Sequence, residues 1–322
     1  MSKSPRPLPI DPFIVALISA AVLGFLLPAT GAATPIVSYL TKASIALLFF
    51  LQGVRLQRAA VIAGLTHWRL QLLTLACTFA LFPILGLALH ASVPGLLDSS
   101  LWIGVLYLCA LPSTVQSSIA FTSIARGNVA AAICAATASN LIGIVLTPLL
   151  VAALLNLHGS AAPLEQMQSI VLQLLVPFVA GQIASRWLRP WAMRHAKLLT
   201  ISDRGSIILV VYAAFSAAVQ AGAWASLSWI DIVKVLLVCI VLLAIALVVT
   251  HFASRAGRFA REDEIAVVFC GSKKSLATGV PMANILFPAA TVGLVILPVM
   301  VFHQVQLMVC ASLARRWAER AE

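Results

Sequence analysis

Two adjacent lysines stand inside an apolar run near the end of the chain, in Phe269-Cys270-Gly271-Ser272-Lys273-Lys274-Ser275-Leu276. A cation near the middle of a bilayer costs about 3 kcal/mol or more, so ionisable groups held there mark solute and ion pathways. The neighbouring glycine and serines favour a helix break, and interrupted helices are how carriers present backbone groups to a solute. Lys42 is a third cation inside an apolar segment, whereas all ten aspartates and glutamates lie near segment ends or in loops. Neutral polar groups gather at Ser113, Thr114, Gln116, Ser117, Ser118, Thr122 and Ser123, then at Thr137, Ser139 and Asn140, and again at His303, Gln304 and Gln306. A sodium site wants several oxygens and often a carboxylate. Lysines beside half-helix N-termini suit an anion or a zwitterion instead, because exposed N–H groups and the helix dipole favour negative charge.

Each group also has a structural reading. Lys42 can snorkel to the interface or tie two helices together. Lys273 and Lys274 can bond the carbonyls that a break sets free. They project about 100° apart on a helix, so the spacing predicts that only one faces a cavity. His303 can be packed and hydrogen-bonded rather than a proton relay. Serines and threonines in membrane helices commonly bond back to their own helix; Thr114, Ser117 and Ser118, beside a break, point beyond that.

Composition fixes the kind of element that must hold these groups. Of 322 residues, 61% are hydrophobic and 10% charged, with a mean hydropathy of +1.04; a soluble domain has roughly a quarter of its residues charged. The chain reads as an all-α polytopic membrane protein whose polar stretches are no longer than about 20 residues, the length of one span. The net charge of +11 does not imply nucleic acid, since lysines and arginines sit mostly in short loops, as in cytoplasmic loops of membrane proteins. Cys77, Cys109, Cys134, Cys239, Cys270 and Cys310 all lie in apolar runs and read as small buried hydrophobes, not metal ligands or disulfides. No P-loop, HExxH or GxSxG occurs, so neither direct ATP coupling nor an enzyme is expected, and no cofactor is implied.

Ten apolar segments are predicted at 12–29, 35–54, 70–91, 101–125, 128–156, 165–187, 205–222, 230–252, 264–286 and 290–313. Loop charge alternates along them. Lys3 and Arg6, then Arg55, Arg58 and Arg69, then Arg126, then Arg186 to Arg204, then Arg255, Arg258 and Arg261, and finally Arg315, Arg316 and Arg320 mark one side. The intervening loops carry little or no positive charge. The positive-inside rule then predicts an even span count with both termini cytoplasmic. Ala29-Thr30-Gly31-Ala32-Ala33 loosely resembles a signal-peptide cleavage site, but the run from Phe13 to Leu27 reads better as a first span, with Ala16, Ala20 and Gly24 spaced for close helix approach. Ala131, Ala135, Ser139 and Gly143 form a second such row, which predicts a fifth segment packed on both sides. Ten spans divide into two fives, 1–156 and 157–322, the second inverted relative to the first. The fourth and ninth segments then correspond, and each holds a break: Leu111-Pro112-Ser113-Thr114 and Gly271 to Ser275.

Leu111-Pro112-Ser113 through Ser117-Ser118, then Ile124-Ala125-Arg126-Gly127-Asn128 and Leu146-Thr147-Pro148, resemble the bile acid:sodium symporter superfamily. Gly271-Ser272-Lys273-Lys274-Ser275-Leu276-Ala277 and the run from Leu47 to Arg55 resemble its member-seven-type branch and bacterial relatives. The resemblance covers roughly 12–313. It implies inverted repeats, crossing broken helices four and nine, a panel of spans 1, 2, 6 and 7, and a core of spans 3–5 and 8–10, with substrate between them near the crossing. It also exposes departures. Aligning the shared glycine puts Phe269 and Lys273 where the classical symporters have sodium-binding glutamate and glutamine. A third-span glutamine position falls near Thr78, and fifth-span hydroxyl positions fall near Ala132 and Ala136. Ser118 matches a ligand serine, but Ile119 replaces its asparagine neighbour.

Together these readings predict a multi-pass carrier of the bacterial inner (plasma) membrane that moves a small organic anion by alternating access, with no obligatory protein partner. Lys273, Lys274, Ser272, Ser275, Ser113, Thr114, Ser117, Ser118 and Gln116 are the expected substrate- or ion-binding residues, with Thr78, Thr137, Ser139, Asn140, His303 and Lys42 behind them. A lysine ammonium would occupy the place of a bound sodium ion. Desolvation disfavours a charged ammonium, so Na⁺ and H⁺ both stay open as coupling ions. The alternatives are a sodium-coupled symporter using Thr137, Ser139 and Asn140, and a membrane regulator of ion homeostasis without flux. Arg126 and Asn128 are expected to shape a turn.

Overall fold

A computed structural model describes residues 12–55, 67–156, 164–223 and 227–319, which are helical with no strand among them. Lys3, Arg6, Arg58 and Arg320 of the predicted loop charges lie outside the described residues. The helices are α1 (Pro12–Leu26), α2 (Ala33–Arg55), α3 (Trp68–Ser92, with a π-helical turn at Cys77–Leu81), α4 (Ser99–Ala110), α5 (Gln116–Ile124), α6 (Val129–Asn156), α7 (Leu164–Arg194), α8 (Ala196–Gln220), α9 (Trp229–Ala256), α10 (Arg261–Gly271), α11 (Leu276–Leu286) and α12 (Ala289–Glu319). By length and apolarity, α2, α3, α6, α8, α9 and α12 can each cross a membrane, while α1 and α4 are shorter apolar helices.

Small residues set the closest crossings. A Cβ on Gly53 of α2 would stand 2.1 Å from the Phe178 carbonyl oxygen of α7, and one on Gly181 of α7 would stand 2.0 Å from that of Phe50. The two backbones therefore meet with no room for a side chain between them. The row in α1 behaves as expected: Ala20 and Gly24 are buried, and a Cβ on Gly24 would strike the Tyr212 carbonyl of α8 at 2.6 Å. In α6 the whole row is buried, and Gly143 admits the ring of Pro112. The opposite face of α6 exposes Ile133, Ile142, Val145 and Leu149, so the helix is packed on one side only. Its alanines and glycine seat it on the break, and its larger β-branched and leucine side chains are left for lipid.

The predicted loop 187–205 is not a loop. α7 continues through Arg194 and α8 begins at Ala196, with only His195 between them. Arginines and lysines are good helix formers, so the helices run on past the apolar stretch. Elsewhere the punctuation falls as the residues dictate. Ala125-Arg126-Gly127-Asn128 forms the turn between α5 and α6, with Arg126 at φ 60°. Asn128 donates from its backbone N–H to the Glu262 carbonyl (2.9 Å) and from Nδ2 to Asp263 Oδ1 (2.8 Å). That turn thereby ties the end of one interrupted segment to the start of the other.

Candidate functional site

Pro112 has no N–H to continue α4, so the helix ends at Ala110 and Leu111 turns to extended backbone. A break of this kind frees several carbonyls, and in an apolar interior each needs a donor. Their partners can be named one by one. Lys274 Nζ donates to the Cys109 and Leu111 carbonyls at 2.8 and 2.7 Å. Thr147 Oγ1 donates to Ala110 O, the Ser275 N–H to Pro112 O, and Asn140 Nδ2 to Ser113 O. The Ser113 N–H is taken by Ser139 Oγ at 3.0 Å.

The second break is closed from the first. Ser118 Oγ donates to Phe269 O (2.9 Å) and Ser113 Oγ to Cys270 O. Ser272 Oγ caps Val268 O, and Ser275 Oγ accepts from the Thr278 N–H at the start of α11. Gln306 of α12 brackets Lys274: its Oε1 accepts from the Lys274 N–H (2.8 Å) and its Nε2 donates to the Lys274 carbonyl (2.9 Å). The same Nε2 lies 2.9 Å from His303 Nδ1.

A third carbonyl completes the surroundings of Lys274. In the π turn of α3 the Phe82 N–H bonds back to Cys77 O. Pro83, next along, has no N–H to offer. Thr78 O is thus without a helical donor, and Lys274 Nζ supplies one at 2.7 Å. An ammonium has three N–H groups, and here each meets a carbonyl oxygen made available by an irregularity in the helix that carries it. The Phe82 ring stands 4.2 Å from the same nitrogen. Thr78 contributes through its backbone, since its hydroxyl bonds back to Thr74 O.

Lys273 points the other way. Its Nζ reaches Ser117 Oγ only at 3.5 Å and lies 4.4 and 5.5 Å from the Phe121 and Phe269 ring centroids. Ser117 in turn donates to Thr114 Oγ1, which is 2.9 Å from Ser118 Oγ. Both lysines are enclosed, 0% and 1% exposed, which corrects the expectation that one of them faces a cavity. Of the predicted site residues, Gln116 is exposed and Thr137 half-buried, and neither hydrogen-bonds into the cluster. Gln306, Thr147 and Tyr107, whose hydroxyl donates to Gly279 O, were not singled out as site residues. A buried glutamine three residues after His303, on one face of a helix, is the signal that could have found Gln306.

Lys42 lies apart from this cluster. It is exposed to a cleft of about 650 Å³ between Ala29 of the α1–α2 connection, α2, α7 and α8 on one side and α11 and α12 on the other. Ser38, Thr41, Gln173, Gln220 and Asn284 share the lining. The Thr41 hydroxyl is buried without a hydrogen-bond partner, and Lys42 has no ion-pair partner among the described residues. The cleft opens where α1, α8 and α11 end and α2 and α12 begin, the end of the bundle that lacks the arginine-rich turns.

The sequence profile of the SBF-like CPA transporter family matches residues 11–319. An uncharacterized protein of Pseudomonas aeruginosa is 53% identical over 319 residues, 99% of this chain and 96% of the relative. YfeH of Escherichia coli, provisionally named a symporter, is 52% identical over 313 residues, 97% of this chain and 94% of its own. Sodium/bile acid cotransporter 7 of Mus musculus is 27% identical over 277 residues, 84% of this chain and 80% of its own.

Proposed function

Because the chain belongs to the SBF-like CPA transporter family, we propose that it is a secondary carrier that moves a small organic anion across the bacterial inner membrane by alternating access, without sodium. The observation that carries this reading is the Lys274 ammonium ringed by the carbonyls of Thr78, Cys109 and Leu111. Carbonyl rings of this sort elsewhere replace the hydration shell of a monovalent cation. Here a tethered cation fills the ring, so none need be recruited from solution. Ser139 and Asn140, the hydroxyl and amide a sodium site would call on, hold the backbone of Ser113 instead.

The ten segments are read as two inverted repeats, 1–156 and 157–322, with α4–α5 and α10–α11 as the matching broken spans. α1, α2, α7 and α8 form the panel, and α3–α6 with α9–α12 form the core. Supporting this division, α2 packs chiefly on α7 and α1 on α8, and the Lys42 cleft runs along the seam between the two groups. In this reading Lys42, with Gln173, Gln220 and Asn284 beside it, binds the anion's negative charge. Core and panel then shift about the solute. Lys273, whose ammonium is held by one long hydrogen bond and two ring faces, is the group free to exchange a proton during that shift. By the positive-inside rule the cleft faces the periplasm and both termini the cytoplasm.

The test is uptake by purified protein in liposomes. A thermal-shift screen of small anions first identifies one that binds, because a ligand bound by the native state raises its stability. Uptake of that anion is expected to be the same with and without a Na⁺ gradient. Strong stimulation by sodium overturns the tethered-cation reading.

A further inference from the structure

The arginine end of the bundle holds a second cavity, separate from the lysine cluster at the crossing of the broken helices. It has a volume of about 810 Å³ and lies between α9, α10 and α12. Its rim is charged: Arg255 from α9, Arg261 from the first turn of α10 and Arg316 from the last turns of α12. One carboxylate faces them. Glu264 lies 2.8 Å from His251 Nδ1 through Oε1 and 3.5 Å from Arg255 Nε through Oε2. That leaves Arg261 and Arg316 with no carboxylate partner among the described residues. Below the rim the walls are hydrocarbon. Val248, Phe252 and Met308 there are 53%, 63% and 72% exposed, so the cavity is open sideways as well as upward. Trp317, in contact with the Phe269 ring at 5.5 Å between centroids, lines the same cavity beside Arg316.

We infer that this groove binds an anionic phospholipid from the leaflet on the arginine side. A phosphodiester fits the two guanidinium groups that lack a carboxylate among the described residues, since their forked N–H donors match a phosphate in geometry and charge. Basic pockets between membrane helices at the cytoplasmic surface recognise lipid headgroups in this way. The exposed apolar wall is what selects a lipid over a free anion. An acyl chain laid along Val248, Phe252 and Met308 covers surface that inorganic phosphate would leave bare. Because the groove touches α9, α10 and α12 together, the bound lipid braces the cytoplasmic half of the second broken span. This inference does not depend on which solute the protein carries.

The full chain, purified in a neutral detergent, is melted in the presence of phosphatidylglycerol, phosphatidylcholine or inorganic phosphate. Phosphatidylglycerol is expected to raise the melting temperature well beyond phosphatidylcholine, and phosphate to leave it unchanged. The double variant Arg261→Gln/Arg316→Gln is expected to lose that difference while melting like the parent in phosphatidylcholine. Equal effects of the two lipids, a difference that survives in the double variant, or a shift reproduced by phosphate alone overturns the inference. Should the double variant fail to fold, quenching decides the matter. Phosphatidylglycerol with brominated acyl chains is expected to quench the fluorescence of the parent protein more than brominated phosphatidylcholine does. That excess is expected to vanish in Trp317→Phe, and an excess that stays, or is absent from the start, counts against the site.

Discussion

The crossing of the broken helices and the cleft around Lys42 hold their lysines in opposite ways. At the crossing, Lys274 has every N–H directed at a carbonyl and is fully enclosed. In the cleft, Lys42 is exposed and stands beside the Thr41 hydroxyl; among the described residues the lysine lacks an ion-pair partner and the hydroxyl a hydrogen-bond partner. A cation whose donors are all satisfied by the protein has little left to offer a solute. A cation in an open polar cleft has its bonding capacity in reserve. Of the lysines conspicuous in the sequence, Lys274 closes the backbone of the helix breaks, while the less conspicuous Lys42 stands open to the cleft. Lys273 lies between these extremes, enclosed like its neighbour but weakly bonded.

That contrast can be broken at several points. The largest effect is expected from Lys274→Met, which leaves three buried carbonyls without donors. Each such orphan costs about 1–3 kcal/mol, so the variant should be the least stable of the set by melting in detergent. Lys274→Ala sharpens the point: Na⁺ is expected to raise its melting temperature and not that of the parent protein. A sodium-insensitive alanine variant would show that the carbonyl ring is no cation site. The next effect belongs to the close crossing of α2 and α7. Gly181→Ala drives a methyl group into the Phe50 carbonyl and should lose about 1–3 kcal/mol. Gly205→Ala in α8 meets nothing within 4 Å and should gain about 0.5–1 kcal/mol of helix stability. If the two glycine variants melt alike, the close crossing of α2 and α7 is wrong. Lys42→Gln should leave melting near that of the parent while raising the half-saturating concentration of the screened anion about tenfold, ~1.4 kcal/mol. Unchanged uptake kinetics would remove Lys42 from the solute site. A modest stability effect, about 1 kcal/mol for the lost cation–π contact, is expected from Lys273→Met. Its uptake should nevertheless slow markedly if Lys273 exchanges the coupling proton.

Much of the helical framework was legible because membrane solvation leaves few choices. The break at Pro112 followed from a missing N–H, and the one at Gly271 to Ser275 from a glycine and polar residues crowded into an apolar run. Both fall where expected. The turn at Ala125 to Asn128 was also expected, though its partner, Asp263, lies 135 residues further along. The junction of α7 and α8 was misplaced, since hydropathy reports where lipid ends and not where a helix ends. Gln306 stood out in a polar group and Thr147 in a quoted motif, but neither was given a role. Their importance comes from which backbone atoms they face, and local sequence carries no record of that.

The sequence by itself determined that the chain is a membrane-embedded helical protein, where its interrupted helices stop, and that cations rather than carboxylates sit within them. These follow from local chemistry: apolar length, a proline without a proton, charge confined to loops. Only the tertiary structure decided which lysine is fully bonded, which is half bonded and which stands open to a cleft. That choice turns on carbonyls freed in α3 and α4, far from Lys274 in the chain and within 3 Å of it in space. Hydrogen bonds act only at contact distance, and contact between distant segments is fixed by packing.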